Sequence, residues 1–216
     1  MNITRPVPAI MDVGSLVRQM AGWQEDWTEQ WHAARQGPQP ANPLAFLVQQ
    51  EHRRNFDLWH EEDKARAPDA SDAQVAGVKR RIDKLNQERS NLIEQLDEAF
   101  FTMLAQRHVK PAAEAAWNTE TPGLAADRLS ILSLKIHHMR EQEQRAEATE
   151  AHRERCRAKR QILERQRADL IVALQRVVDE LFAGRQQMKL FRQFKMYNDP
   201  ALNPAIYRSG AGSTEA

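Results

Sequence analysis

Residues 85–93 have the sequence Leu-Asn-Gln-Glu-Arg-Ser-Asn-Leu-Ile, and this stretch decides the fold class because its apolar residues recur at the spacing of one helix face. Residues 163–171, Leu-Glu-Arg-Gln-Arg-Ala-Asp-Leu-Ile, repeat the pattern 78 positions later (163 − 85 = 78). Arg89 and Arg167 occupy the same place in the two stretches, in the middle of an apolar stripe. A guanidinium on a core face is costly unless it is paired. We therefore predict a duplicated helix with a polar interior.

Working outward from these stretches, the periodicity predicts an all-α protein, a bundle of about five long helices with a degenerate two-helix repeat and a C-terminal extension. Helix start signals are clear at Asn42-Pro43 and at Ser71. The expected organisation is a flexible N-terminus (1–12), a helical bundle (13–183), a basic and aromatic extension (184–208) and a disordered tail (209–216). The sequence leaves open whether the fourth and fifth helices form one bent rod or turn near Thr149.

Composition limits the classes of partner. The chain has 31 basic and 30 acidic residues and a formal net charge of +1, so it carries no global signal for nucleic acid. No apolar run is long enough to span a membrane, and no signal peptide is recognisable at the N-terminus. Cys156 is the only cysteine, which excludes an intrachain disulfide. We expect a cytoplasmic protein, and no cofactor is predicted.

Projection onto helical wheels places polar residues among the apolar ones on each core-facing side. One interpretation is a satisfied polar network that fixes helix register, and the other is an inter-helix pocket in which bases hold an anionic ligand. The pocket interpretation expects Asn55, Glu62, Asp63, Arg89, Asp127, Arg128 and Lys135 to converge. The full candidate set adds His60, Arg66, Lys79, Asn86, Asp97, Arg167, Arg192 and Lys195.

The histidines give a weak metal signal. His60 and Asp63 have the three-residue spacing of a helical ligand pair, which is common by chance. His60 and His138 are also 78 positions apart (138 − 60 = 78), but their angles from the apolar stripes differ. We therefore predict no metal site.

The C-terminal strip, residues 185–207, interleaves bases with the aromatic residues Phe191, Phe194 and Tyr197. We expect the aromatic rings to dock on the bundle and some of the bases to border the polar site. Contact with a peripheral membrane surface is the alternative role for such a strip.

Several stretches together resemble the bacterial family called Domain of Unknown Function 4254, over about residues 45–207. These stretches are residues 55–66, 79–87, 120–123, 127–135, 192–199 and 202–204. The resemblance implies an all-helical bacterial protein that is sometimes encoded near glycosyltransferases, and it supplies no activity or catalytic residue.

Three functions are expected from these observations together. The first is an accessory or anionic-ligand-binding protein of cell-envelope glycan assembly, with a sugar nucleotide, a phosphate or a glycosyltransferase as its partner. The second is an enzyme acting on a phosphorylated or nucleotide-linked substrate, with His60 or Asp63 as acid or base. The third is a structural module that forms homo-oligomers.

Overall fold

The computed structural model describes residues 12–194 and 196–207, and within them it is all-α, as predicted. Five long helices are followed by one short helix, and a two-residue parallel strand pair lies outside the bundle. The elements are α1 (Leu16–His32), α2 (Pro43–Ala65), α3 (Asp72–Gln106), β1 (Ala116–Trp117), α4 (Pro122–Gln144), α5 (Glu150–Phe182), β2 (Gln186–Gln187) and α6 (Pro204–Tyr207). No described helix is both long and apolar enough to cross a membrane. The predicted N-terminal and C-terminal tails, apart from residue 12, lie outside the described residues.

Side-chain caps fix where the main helices begin. Asn42 accepts a hydrogen bond from the amide of Ala45, and Ser71 forms a reciprocal capping box with Gln74. Thr121 caps α4, and Thr149 caps α5. The cap at Thr149 settles the alternative that the sequence left open: α4 and α5 are two helices joined by a turn.

The long helices form two antiparallel hairpins, because α2 packs along α3 and α4 packs along α5. Helices α2 and α4 both have 23 residues and both begin with proline. Helix α1 packs against α2, α4 and α5. Equivalent positions of the two hairpins meet in space, since His52 and Ser130, 78 positions apart, are hydrogen-bonded. The predicted sequence duplication stays a prediction, but this pairing places α2 directly against α4.

The main core lies where α1 crosses the two hairpins. Trp27 is 1% exposed, and its indole nitrogen donates to the carbonyl of Pro38 at 2.9 Å. The core residues around it are apolar and come from all five long helices: Leu16, Met20, Leu44, Val48, Leu96, Phe100, Leu129, Leu174, Val178 and Leu181. Each fully buried side chain of this size contributes about 1.5–3 kcal/mol through removal from water. Packing around Trp27 therefore holds α1 in the bundle.

The C-terminal extension contacts the bundle through different residues from the predicted ones. Phe191, Phe194 and Tyr197 are 50%, 78% and 60% exposed, so the prediction that they dock on the bundle is wrong. Met188, which is 5% exposed, anchors the segment in the core instead. Arg192 attaches the chain beyond it, through ion pairs with two glutamates of α3. Anchoring by one methionine and ion pairs leaves the aromatic rings in solvent.

Candidate functional site

A buried polar network lies where α2 meets α4, and Asn55 is at its centre. The side-chain nitrogen of Asn55 lies 2.5 Å from Oε1 of Glu51, 2.9 Å from Oδ1 of Asp127 and 2.9 Å from Oγ of Ser130. Since an amide nitrogen carries two hydrogens, three acceptors share two donors. The network is buried throughout, with Asn55 4% and Asp127 5% exposed. One amide thus joins two helices that lie in different hairpins.

The acids of this network are balanced by one proton and one arginine. Burial raises the pKa of Glu51 well above its ordinary value, and the hydrogen bond and negative charge of Asp127 raise it further. We infer that Glu51 carries a proton at neutral pH. Arg89 pairs with Asp127 through Nε–Oδ1 at 2.9 Å and Nη2–Oδ2 at 3.3 Å. The pairing satisfies Arg89, as the sequence predicted, and leaves the network without an unpaired charge.

His52 extends the network toward α1. Its Nε2 lies 2.9 Å from Oγ1 of Thr28, and its Nδ1 lies 2.8 Å from Oγ of Ser130. Thr28 already donates to the carbonyl of Gln24, so we assign the proton of His52 to Nε2. Burial lowers the pKa of His52 to about 3, which keeps the ring neutral. This ring belongs to the packed interior.

Arg167 is the counterpart of Arg89 in the other hairpin, and it joins α5 to α1. Its Nη2 donates to the carbonyl oxygen of Ala21 at 2.6 Å, and its Nη1 lies 3.3 Å from a carboxylate oxygen of Glu25. The side chain is 15% exposed. The prediction that this guanidinium meets a carbonyl or carboxylate is confirmed, and its role here is to hold helices together.

A cluster of histidines lies at the other end of α2, where α1 ends. His32, His60 and His138 each offer one ligand atom, and these atoms all lie within 4.8 Å of one another. The Nε2 atoms of His32 and His138 are 3.3 Å apart. The ring of His137 stacks on that of His32 with centroids 3.9 Å apart. His60 and His138 lie at different angles from their apolar stripes, but the packing of α2 against α4 brings the two rings together.

Each of the three rings is oriented by a hydrogen bond to Nδ1. The acceptors are the carbonyl of Thr28 for His32 at 2.7 Å, the carbonyl of Phe56 for His60 at 2.8 Å, and a carboxylate oxygen of Glu141 for His138 at 2.7 Å. Burial lowers the pKa of His32 to about 4 and also lowers that of His138. Both rings are therefore neutral at pH 7, which is the form that binds metals.

An open cavity of about 610 Å³ lies beside the histidine cluster, between α2, α4 and α5. Its wall includes His138 and Trp59, whose rings stack with centroids 4.5 Å apart. Two lysines and one acid border it: Lys135, Lys159 and Asp63. Among the described residues none of these three forms an ion pair. The cavity is thus amphipathic, with charges free to meet a ligand.

The predicted site residues fall into separate places. Asn55, Arg89 and Asp127 converge in the buried network, and Asn86 lies beside Arg89 at 3.4 Å. Asp63 and Lys135 border the cavity instead.

The predicted convergence of all seven residues in one site is therefore wrong, because Asp63 and Lys135 lie at the cavity and Glu62 and Arg128 lie at the surface. Glu62 pairs with Arg66, Lys79 with Asp83, and Arg128 with Glu120, all at the surface. Asp97 binds the amide of Gly123, and Arg192 binds Glu94 and Glu98. Lys195 lies outside the described residues. Whether any of these groups binds a ligand stays a prediction.

Sequence reasoning missed His32, Trp59 and Lys159 as members of a site. The offset of 78 residues was the available signal for His138, because its partner at that offset, His60, faces it across the cluster. No comparable signal exists for His32, since it comes from α1, outside the predicted repeat.

The comparisons with known proteins give a family and no function. No curated protein and no solved structure matches the chain significantly. One family model, described as a protein of unknown function, DUF4254, matches residues 45–190, which is more than half of the chain. The match includes α2 to α5 and therefore the buried network, the cavity and every histidine of the cluster except His32. The chain belongs to the DUF4254 family.

Proposed function

We propose that this protein is an accessory protein that binds a phosphate-bearing ligand in the cavity beside Trp59. The observation that carries the proposal is the pair Lys135 and Lys159, which border the cavity without an ion-pair partner among the described residues. Free ammonium groups at the edge of a concave surface attract phosphate and raise its local concentration. The volume, about 610 Å³, suits a ligand of the size of a sugar nucleotide.

The rest of the lining supports a ligand that has both an apolar and a hydroxylated part. Ile162, 47% exposed, and Trp59 offer apolar surface, and Asp63 offers acceptors for hydroxyl groups. A pocket of this kind orients its ligand through a small number of polar groups. The resemblance to a family sometimes encoded near glycosyltransferases makes sugar nucleotides of cell-envelope glycan assembly the first class to test.

The buried arginines are poor candidates for the anion-binding role. Asp127 already neutralises Arg89, and a carbonyl and a carboxylate already contact the two terminal nitrogens of Arg167. Releasing Arg89 would strand the buried carboxylate of Asp127, at a cost of several kcal/mol. We therefore assign the anion-binding role to the two lysines and not to the arginines.

Isothermal titration calorimetry with a uridine diphosphate sugar and with inorganic pyrophosphate tests the proposal. We expect the Lys135→Gln, Lys159→Gln double variant to weaken binding at least tenfold, about 1.4 kcal/mol. The matched control is Lys110→Gln, since Lys110 is exposed and follows α3 at the opposite end of its hairpin. Binding that is absent, or equal in the double variant and the control, would contradict the proposal.

An enzyme that acts on the same ligand class is the second candidate, and Asp63 favours it. This carboxylate borders the cavity together with His138, so an acid or base could reach a bound ligand. Turnover of the bound sugar nucleotide, lost in Asp63→Asn while binding persists, would distinguish the enzyme from a binding protein.

A further inference from the structure

We propose that His32, His60 and His138 form a binding site for a single transition-metal ion, with Zn²⁺ as the first candidate. The site shares His138 with the wall of the cavity but does not require the ligand proposed there. Three helices, α1, α2 and α4, each contribute one imidazole, and the ligand atoms lie within 4.8 Å of one another. All three rings are half-buried, so an ion can reach them without the bundle opening.

The hydrogen bonds of the histidine rings determine which nitrogen of each ring is available to an ion. Nδ1 of His32 lies against a carbonyl oxygen and Nδ1 of His138 against a carboxylate oxygen, so both Nδ1 atoms must be donors. In neutral rings, Nε2 of each is then an acceptor. Those two acceptors are 3.3 Å apart, so their lone pairs repel unless a cation lies between them.

His60 has the same arrangement, since its Nδ1 lies 2.8 Å from the carbonyl of Phe56. The three rings therefore present Nε2 with Nδ1 held by an oxygen acceptor. Metal-binding histidines have this outer hydrogen bond almost always, because it fixes the tautomer and makes the ligand atom more basic. Three independent occurrences within one cluster argue for a built ligand set.

The distances agree with tetrahedral coordination. With Zn–N bonds of about 2.0–2.1 Å, two ligands of a tetrahedral site are about 3.3 Å apart. His32 and His138 already have this separation. The widest separation within the cluster is at most 4.8 Å, which a small rotation of a half-buried ring can shorten. Imidazole ligands suit zinc, copper, nickel and iron, and three of them on zinc leave one position for water or a ligand.

The surroundings favour a cation over other ligands. Glu141 lies beside His138 and 3.6 Å from Nε2 of His137, and Glu29 lies 3.2 Å from Nδ1 of His137. Arg140 is bound to Glu29 at 2.7 Å. Aromatic rings cover the remaining sides, since Phe56 contacts His60 and Trp59 stacks on His138. Carboxylates outside and aromatic rings beside three imidazole donors match a metal site.

Chelator-treated protein titrated with Zn²⁺ and with Co²⁺, without any phosphate ligand, tests the proposal. We expect one ion per chain by calorimetry, and for Co²⁺ the strong visible absorption of a tetrahedral site. Glu141→Ala should weaken Zn²⁺ binding by about 10–100-fold through loss of the outer hydrogen bond. His60→Gln and His138→Gln should each weaken it more than Glu141→Ala does. Circular dichroism checks that each variant is folded. If His60→Gln does not fold, the result for His138→Gln decides between the outcomes.

Two variants serve as controls. Cys156→Ser changes a pair of neighbouring ligand atoms outside the cluster, since Cys156 Sγ lies 3.3 Å from Nε2 of His152. His108→Asn changes an exposed histidine with φ 54°, a conformation that asparagine tolerates. Both variants should bind Zn²⁺ like the unmodified protein. Absence of binding, or binding that survives His60→Gln and His138→Gln but is lost in Cys156→Ser, overturns the proposal. Either outcome leaves the lysine cavity to be judged by its own experiment.

Discussion

Asp97 on α3 accepts a hydrogen bond from the backbone amide of Gly123 on α4 at 2.7 Å, and this contact brings the first turn of α4 against the C-terminal half of α3. A Cβ atom on Gly123 would lie 2.6 Å from the carbonyl oxygen of Ile93 and 2.7 Å from Oδ1 of Asp97. The close approach therefore requires glycine because of space, and it ties one hairpin to the other.

Gly123→Ala should destabilise the protein by about 1–3 kcal/mol, because one of the two helices must shift to admit the methyl group. Urea unfolding measures the change. Gly22→Ala is the matched control, since Gly22 lies within α1 and a methyl group added there would have no neighbouring atom within 4 Å. We expect that control to stabilise by about 0.5–1 kcal/mol through helix propensity. Equal effects of the two substitutions would contradict the steric argument.

Glu51→Gln should change the free energy of unfolding at pH 7 by less than about 1 kcal/mol, because glutamine replaces a protonated carboxyl by a neutral group of the same shape. Glu51→Ala should cost about 2–5 kcal/mol, by analogy with other large buried side chains truncated to alanine. Urea unfolding of both variants measures the difference.

The pH dependence distinguishes the proton on Glu51 from a buried charge. The pKa of Glu51 is raised in the folded protein, so the folded state binds more protons than the unfolded state at pH values above about 4.5. Stability from this group is complete below that pH and is lost as pH rises toward the raised pKa. Between pH 5 and 8 the melting temperature of the unmodified protein should therefore fall relative to that of Glu51→Gln. Parallel curves would show that Glu51 is ionised in the folded state.

Arg89→Ala should cost about 3–5 kcal/mol, because it leaves Asp127 buried without its cation. Removing both groups in Arg89→Ala, Asp127→Asn should recover part of that loss, which a double-mutant cycle measures. Arg66→Ala is the comparison, since the Arg66–Glu62 pair is exposed and such pairs contribute about 0–1 kcal/mol. If Arg89→Ala cost no more than Arg66→Ala, the Arg89–Asp127 pair would not be a structural element.

A chain that ends at residue 190 should melt within a few degrees of the full-length protein. It loses the Arg192 pairs with Glu94 and Glu98, which are half-exposed and contribute little, but it keeps Met188. Met188→Ala in the full-length protein should cost about 2–5 kcal/mol by leaving a cavity in the core. A shortened chain less stable than Met188→Ala would mean that the exposed aromatic residues stabilise the bundle.

The helices and their starts were predictable because capping and periodicity are local. The convergence of Asn55, Arg89 and Asp127 was also predictable, since the side chains that point into a core must meet one another. Arg128 was misplaced for a physical reason. Helix α4 packs against four other helices, so its buried residues, from Ala125 to Ile136, do not define a single apolar face. A wheel then cannot separate inward from outward positions.

The histidine cluster could not be predicted from the sequence because it depends on how helices cross. A wheel describes each helix alone, whereas His60 meets His138 only through the crossing angle of α2 and α4. His32 joins them because α1 ends at that crossing. Only one of the two cavity lysines was predicted. Lys135 was identified on α4, but nothing in the sequence of α5 distinguishes Lys159 from the other basic residues around it.

His32 is the last residue of α1, so an ion bound by the cluster would also affect how firmly α1 is attached to the bundle. An ion bound by His32, His60 and His138 would act as a reversible cross-link between α1, α2 and α4. By thermodynamic linkage, the free energy of ion binding would be added to the free energy needed to lift α1 from the bundle. Amide hydrogen exchange in α1 would then slow in step with ion concentration while the far end of α3 exchanges as before. The stability of α1 in the bundle would then depend on the concentration of the metal ion.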